Sequence, residues 1–350
     1  MRFTGVCMKI LLTHELFMPD FHGGGEKIAY ELAKRLKEKG ADVKVITTGD
    51  PKIKEFDGIE TIRLPINRYV MNFAMPWIWK HAKDCDLIQT LNYNAALPSF
   101  IAGKLRNKPV VCIVTGLYGD RWIDMRGRFL GRISELIEKM QLKRGYDKFI
   151  FLSDFSKNLG IKIGIPESKC VVASPGIEHE KFKPKKKMDY VLFMGRLAKQ
   201  KGVYDLIEVA KLMPDVKFKF VGKGEEEAEL RRIAPPNVEI LNITFKDGQP
   251  FFDMYAHAPI LCLPSYSETF GLVLVEAMAS GCAIVSTVPL DYEGVVVEPG
   301  NIEQIKNALR KLVDDRALTE KMGQDNVKRA QKYTWDNFMK KILEVYEELI

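Results

Sequence analysis

The chain has 350 residues, of which 46% are hydrophobic and 28% charged, enough for two ordinary domains that each bury a core and a composition typical of a soluble globular protein. No apolar run reaches the ~18 residues that a bilayer-spanning helix needs. Six scattered cysteines (Cys7, Cys85, Cys112, Cys170, Cys262, Cys282) form no Cys-x-x-Cys pair, which argues against a disulfide framework or a structural metal and for a reducing, cytoplasmic setting, while the net charge of +7 is spread along the chain and nucleic acid is not an expected partner.

In chain order, Lys9 to Thr13 is a short apolar strand, and a loop from His14 to His22 leads to Gly23, Gly24 and Gly25 ahead of an amphipathic helix from Lys27 to Lys39. Consecutive glycines before a helix let the backbone approach a ligand closely. Turns also collect glycines, and no Gly-x-Gly-x-x-Gly follows the strand, so the dinucleotide fingerprint is absent. A signal peptide is not expected, because Met1 to Phe17 holds a Lys and a His within its apolar stretch and lacks a small-residue cleavage site. Further strands are suggested at Asp42 to Thr48, Gly58 to Leu64, Asp86 to Leu91, Pro109 to Val114, Lys148 to Leu152 and Lys169 to Ala173, with helices between most of them. Asp84 and Asp86 have a metal-binding spacing but precede their strand, at the wrong edge of a sheet for a ligand, and the five histidines are dispersed, so no metal or other cofactor is expected.

Phe182 to Met188 joins Pro184 to a run of lysines and reads as an exposed hinge. The alternation then resumes, with strands at Tyr190, Lys217 to Gly222, Val238 to Ile243, Pro259 and Cys282, and helices near Glu225, Phe251, Gly271, Ile302 and Leu318 and from Trp335 to Ile350. The most informative stretch is Ser265 to Thr287. There a buried strand at 259–264 is followed by Ser267 or Thr269 as N-cap, a helix from Leu272 to Ala279, Gly281 as its stop and a second strand. In such a unit the loop lies at the carboxyl edge of a parallel sheet, and the helix N-terminus offers unpaired N–H groups to an anion. Glu268 falls in that loop, and Glu276 sits inside an apolar helix where an acid is rarely buried unless something pairs with it. Upstream, the strand 190–195 runs into Arg196 and Lys201-Gly202, a guanidinium and an ammonium suited to phosphate oxygens. Gly222-Lys223-Gly224 lacks the remainder of a nucleotide-triphosphatase loop.

Glu268 to Gly281 resembles the Glu-x7-Glu signature of retaining nucleotide-sugar glycosyltransferases of GT-B fold, in particular glycosyltransferase family 4, and the Gly195-Arg196, Lys201-Gly202 and Gly24-Gly25 elements occur in that family's order. The resemblance implies an α/β fold of two Rossmann-like domains with parallel sheets facing a central cleft: an acceptor-side domain over 1–183 with helix 335–350 packing back on it, and a donor-binding domain over 184–334. It implies a nucleotide-diphosphate sugar donor, a hydroxyl acceptor such as a glycan, lipid-linked or cell-envelope molecule, and a metal-independent, retaining hexosyl transfer. Arg196 and Lys201 would neutralise the diphosphate, Glu268 with the amides of Phe270, Gly271, Leu272 and Val273 would hold the transferred sugar and leaving-group charge, and Glu276 would bind the ribose. Gly24 and Gly25 would bring the first domain to the donor, and the base would meet backbone near Asn242 to Thr244. Met8 resembles the family's usual start, with 1–7 as an extension. Two departures stand out: Thr115-Gly116 replaces the His-Gly pair of many relatives, and the short segment after Ser286 puts in doubt a donor contact by Glu293. A hydrolysing nucleotide-sugar epimerase and a non-catalytic sugar or nucleotide module remain as alternatives. Arg121 to Arg132 (four Arg with Trp122, Phe129 and Leu130) and Arg68 to Lys80 (Tyr69, Phe73, Trp77, Trp79) interleave basic and aromatic residues, which suits docking on an anionic inner membrane face, a buried helix being the competing reading of the second segment.

Overall fold

The computed structural model describes residues 8–20 and 23–350, with the backbone alone at 124–126. The candidate extension at 1–7, residues 21 and 22, and the Arg126 side chain lie outside that description. The chain forms two compact units. The described part of Met1–Ile123, Arg128–Pro175 and Trp335–Ile350 make the first; Gly176–Thr334, counted together with Asp124–Gly127, make the second.

The first unit alternates strands and helices in the order β1 (Lys9–Thr13), α1 (Gly24–Glu38), β2 (Asp42–Thr48), β3 (Glu55–Phe56), β4 (Ile59–Leu64), α2 (Met75–Ala82), β5 (Leu87–Leu91), α3 (Ala96–Arg106), β6 (Val110–Val114), α4 (Arg121–Arg126), α5 (Arg128–Leu142), β7 (Lys148–Phe151), α6 (Asp154–Lys162) and β8 (Cys170–Val172). Its sheet has the order β3-β4-β2-β1-β5-β6-β7-β8, parallel except for the short β3–β4 hairpin that the sequence pattern did not announce. β5 and β6 are buried at every position, as central parallel strands covered on both faces must be. The glycines 24 and 25 are the first residues of α1 and not a loop ahead of it.

The second unit runs β9 (Val191–Met194), α7 (Val203–Leu212), β10 (Phe218–Val221), α8 (Glu227–Ile233), β11 (Val238–Leu241), α9 (Gln249–His257), β12 (Ile260–Leu263), α10 (Leu272–Ala279), β13 (Ala283–Ser286), β14 (Gly294–Val296), α11 (Ile302–Asp314) and α12 (Arg316–Ala330). Its wholly parallel sheet has the order β11-β10-β9-β12-β13-β14. The segment 182–188 is not a free hinge. Phe182 is buried edge-on against Phe252 and Tyr255, the Met188 N–H donates to His257 O at 2.8 Å, and Lys187 Nζ donates to Ser280 O at 2.6 Å. The division between the units falls instead at Pro175 and Gly176.

The last helix, α13 (Trp335–Leu349), belongs to the first unit. The Arg35 guanidinium stacks on Trp335 at 5.5 Å, Lys148 pairs with Glu348 at 2.6 Å, and the buried Tyr346 hydroxyl donates to Gln89 Oε1 at 2.7 Å. Gln89 Nε2 donates to the carbonyls of Thr90 and Val111, which turns its oxygen toward Tyr346. Tyr346→Phe leaves that buried oxygen unpaired and is expected to cost about 1–2 kcal/mol, measured as a lower urea midpoint for the first unit at an unchanged m-value.

Candidate functional site

In the second sheet β9 comes first in sequence, β10 and β11 extend to one side of it, and β12, β13 and β14 to the other. The crevice outside the carboxyl ends of β9 and β12 is therefore a topological switch point, where open parallel sheets bind ligands. Of the residues singled out from the sequence, Arg196, Lys201, Glu268, Phe270 and Gly271 lie on the loops leaving these two strands, and Leu272, Val273 and Glu276 on the helix that follows the second. Arg196 follows β9 and is exposed, with no ion pair to a described residue. Lys201 ends a 3-10 turn, and its Nζ donates to Glu268 Oε2 at 2.6 Å, joining the β9 loop to the β12 loop across the switch point.

Close backbone packing makes that bond possible. Gly202 has φ 70°, and a Cβ on it would lie 2.2 Å from Pro264 O. Gly222 and Gly224 are equally confined, by Gly195 O at 2.0 Å and Leu197 O at 2.2 Å. These two glycines thus let the β9 and β10 loops touch, a packing reason for the Gly-Lys-Gly sequence.

α10 begins at Leu272 with Gly271 as its N-cap, at φ 75° and without a side-chain cap; neither Ser267 nor Thr269 fills that place. A Cβ on Gly271 would press on Glu268 Cγ and Leu274. The N–H groups of Leu272 and Val273 lie in the first turn, where they have no intrahelical acceptor. The Phe270 side chain itself is core, packed edge-on against Tyr333 at 5.6 Å. Glu276 is 5% exposed, and the Tyr255 hydroxyl donates to its Oε2 at 2.7 Å. The pairing that an acid in this apolar helix requires is therefore a tyrosine; burial and the neighbouring carboxylate together push the Tyr255 hydroxyl's own pKa far up. Glu293 is committed elsewhere: its N–H donates to Asn326 Oδ1 and its carboxylate meets Arg329 at 2.5 Å.

In the first sheet the switch point lies between β1 and β5. The Thr115 N–H and hydroxyl both donate to Asn92 Oδ1 at 2.9 Å, and Gly25 lies over His14 and Thr115. Sequence reasoning missed the polar set around them. Glu15 Oε1 accepts from Arg68 Nη2 at 3.1 Å and from Asn94 Nδ2 at 3.4 Å. The signal present was two polar stretches, His14-Glu15 and Asn92-Tyr93-Asn94, each directly after an apolar strand. Arg68 had been read as part of a basic surface, whereas it is spent on Glu15. Burial pushes the Glu15 carboxyl up against the pull of Arg68, and pushes His14 down to about 4, Glu26 opposing the shift and Arg68 adding to it. Asp86, of the Asp84-x-Asp86 pair, accepts from the Lys9 N–H at 2.8 Å at the amino edge of the sheet. No cluster of metal-ligating side chains exists among the described residues.

Three comparisons bear on this geometry. Residues 22–181 match the family model described as Glycosyltransferase Family 4, and residues 176–329 the one described as Glycosyl transferases group 1. Among solved structures, sucrose-phosphate synthase from Thermosynechococcus elongatus is similar in fold (TM-score 0.83, 20% identity, 98% of this chain and 99% of that one), as is Anabaena HepE crystallised with UDP-glucose (TM-score 0.78, 20% identity, 98% and 100%). An uncharacterized glycosyltransferase of Methanocaldococcus jannaschii is 26% identical over 98% of this chain and 99% of its own length. The two family matches overlap at 176–181 and together span residues 22–329. The chain belongs to the group 1 glycosyltransferases of GT-B fold.

His14 also predicts a pH dependence. Its folded pKa lies below the ordinary 6.5, so between pH 6.5 and about 4 the unfolded chain binds a proton that the folded chain refuses, and stability falls as pH falls through that window. Wild type is expected to lose on the order of 3 kcal/mol at most relative to His14→Gln across this range, read from paired denaturation curves at each pH; parallel curves would refute it.

Proposed function

We propose that the protein transfers a sugar, with retention of anomeric configuration and without a metal ion, from a nucleotide-diphosphate sugar to a hydroxyl of a glycan or lipid-linked acceptor. The observation that carries the reading is the Lys201–Glu268 bond at the second sheet's switch point, beside the uncapped N-terminus of α10. A departing nucleoside diphosphate gathers negative charge while the sugar becomes oxocarbenium-like, so the main task is to stabilise the leaving group. On this reading Arg196 and Lys201 meet the diphosphate, aided by the amides of Phe270 to Val273. Lys201 has three donors, so it can keep Glu268 while reaching a phosphate oxygen. Glu268 then orients toward the sugar hydroxyls, and Glu276, held by Tyr255, takes the ribose. The UDP-glucose bound by HepE favours UDP-sugars for the first trials.

The kinetics test these roles. Arg196→Ala and Lys201→Ala are expected to lower kcat on the order of 100-fold, because they act on charge that grows in the transition state, whereas Glu276→Ala raises the donor KM on the order of tenfold. Three variants with wild-type kinetics would remove the assignment. Chelator is expected to leave the rate unchanged, and the product anomer, read by NMR, to match that of the donor.

The acceptor reading includes docking of the first unit on an anionic membrane. α5 packs inward through Gly131, Glu135, Glu138 and Leu142: a Cβ on Gly131 would lie 2.4 Å from Ile123 Cα, and Glu138 accepts from the N–H groups of Tyr118 and Gly119. Its outer face exposes Phe129, Leu130, Ile133, Leu136, Ile137 and Met140, bordered by Arg128, Arg132, Lys143 and Arg144. Glu138 faces inward and Glu135 is paired with Lys139 and Arg132 of the same helix, so the outer face is apolar with a basic border, as an anionic acyl boundary requires. No helix among the described residues is long and apolar enough to cross a membrane. Co-sedimentation with vesicles of rising anionic lipid content is expected to capture wild type and to fall at least tenfold for the Phe129→Ser, Leu136→Ser, Arg132→Gln variant. Equal capture of both would exclude this face.

A further inference from the structure

The loops leaving β1 and β5 carry polar groups that the fold does not satisfy. His14 and Glu15 are 4% and 2% exposed, and both ring nitrogens of His14 and Oε2 of Glu15 are buried without a hydrogen-bond partner among the described residues. Buried polar groups are nearly always paired, and leaving them unpaired costs free energy. Tyr93 supplies an independent sign. It has φ 81°, a rare conformation for an aromatic residue that collects at functional loops.

The cluster has a direction. Arg68 and Asn94 hold Glu15 by Oε1, and Asn72 in turn donates to Asn94 Oδ1 at 2.8 Å. The other carboxylate oxygen lies 3.7 Å from His14 Nδ1. A carboxylate there favours the ring proton on Nδ1 and leaves Nε2 as an acceptor. Nε2 faces Gly25, where a Cβ would lie 3.5 Å from it and 4.0 Å from Thr115 Oγ1. Because residue 25 is glycine, no side chain stands between its Cα and the imidazole, and a substrate oxygen resting against that bare Cα comes within hydrogen-bond distance of Nε2 once a small shift uncovers the buried nitrogen.

We propose that His14 Nε2 accepts a hydrogen bond from a ring hydroxyl of a sugar substrate over Gly25, with Glu15 as the positioning residue that sets its tautomer. The proposal rests on the glycosyl-transfer reading, which supplies the sugar. A neutral acceptor buried at this point discriminates by chemistry: a substrate lacking the hydroxyl leaves Nε2 unpaired and is rejected. The hydroxyl belongs either to the transferred sugar or to a sugar acceptor, and the same measurement separates them.

The experiment compares wild type with His14→Phe on two series, deoxy analogues of the UDP-sugar that supports turnover and deoxy analogues of the best octyl glycoside acceptor. In wild type one deoxy analogue is expected to lose at least tenfold in kcat/KM against its parent, and in His14→Phe that ratio collapses to within twofold of one. Collapse in the donor series assigns the hydroxyl to the transferred sugar, and collapse in the glycoside series to the acceptor. Glu15→Gln is expected to weaken the same ratio, a readout that a purely structural role would not move. If a folded His14→Phe keeps the wild-type discrimination in both series, or if wild type shows none, the proposal is overturned; should His14→Phe not fold, His14→Asn, which lacks a group at the Nε2 position, carries the comparison. Failure of wild type to release a nucleoside diphosphate from any UDP-, GDP- or ADP-sugar would instead overturn the glycosyl-transfer reading. In that event ligand-observed NMR of methyl glycosides and free UDP-sugars decides the site, since equal binding by wild type and variant removes it and loss in the variant retains it.

Discussion

Gly202 passes so close to Pro264 that no side chain fits between them, and the second unit's site depends on this contact. The left-handed backbone at Gly202 turns the chain from the Lys199–Lys201 turn into α7, and the missing Cβ allows the loop after β9 to lie against the loop after β12. Only then does Lys201 reach Glu268, which follows β12 by five residues. The glycines at 222 and 224 do the same for the neighbouring pair of loops. Parallel strands bring all these loops to one edge by topology alone, but the spacing at that edge is set by glycines.

Much of this was legible in the residues. The strand, loop, helix and strand of 259–286 were readable because the apolar run, the helix length and Gly281 agree with one another. Glu276 could be flagged because a carboxylate in an apolar helix needs a partner, yet no local pattern names Tyr255, which arrives from α9. The N-cap was misread for a related reason. Ser267 and Thr269 have the right chemistry for a cap, but Gly271 holds the position because its backbone must run left-handed beside Glu268. The lysine-rich segment 182–188 looked like a linker from charge and proline, and its burial through Phe182 and Lys187 depends on contacts made some 70 to 90 residues away in sequence.

The polar set of the first unit was illegible for a stronger version of that reason. Glu15 is held by residues 53 and 79 positions later, and nothing in a linear pattern ties Arg68 to it. Arg68 stands among Tyr69, Phe73, Trp77 and Trp79, so its neighbours in sequence suggested a surface role. Thr115 had seemed only a departure from the His of many relatives. In the fold the same corner carries an imidazole all the same, delivered by His14 from the β1 loop to the side of Gly25 that Thr115 also faces.

The two switch points are built on different electrostatics. In the second unit Lys201 is already compensated by Glu268, so the uncancelled positive character around it comes from exposed Arg196 and the first turn of α10. An arriving dianionic diphosphate would share Lys201 with Glu268, and each oxygen of that carboxylate would become freer to accept from a sugar hydroxyl as the ammonium moves toward phosphate. Anion binding and sugar orientation would thus be coupled through one ammonium group. At the first unit's switch point the described residues offer no such mobile charge: burial keeps His14 neutral, and Arg68 is already engaged with Glu15. A neutral, fixed imidazole suits recognition of an uncharged hydroxyl, so under these proposals the second sheet would couple charge to sugar orientation while the first would read a hydroxyl without charge.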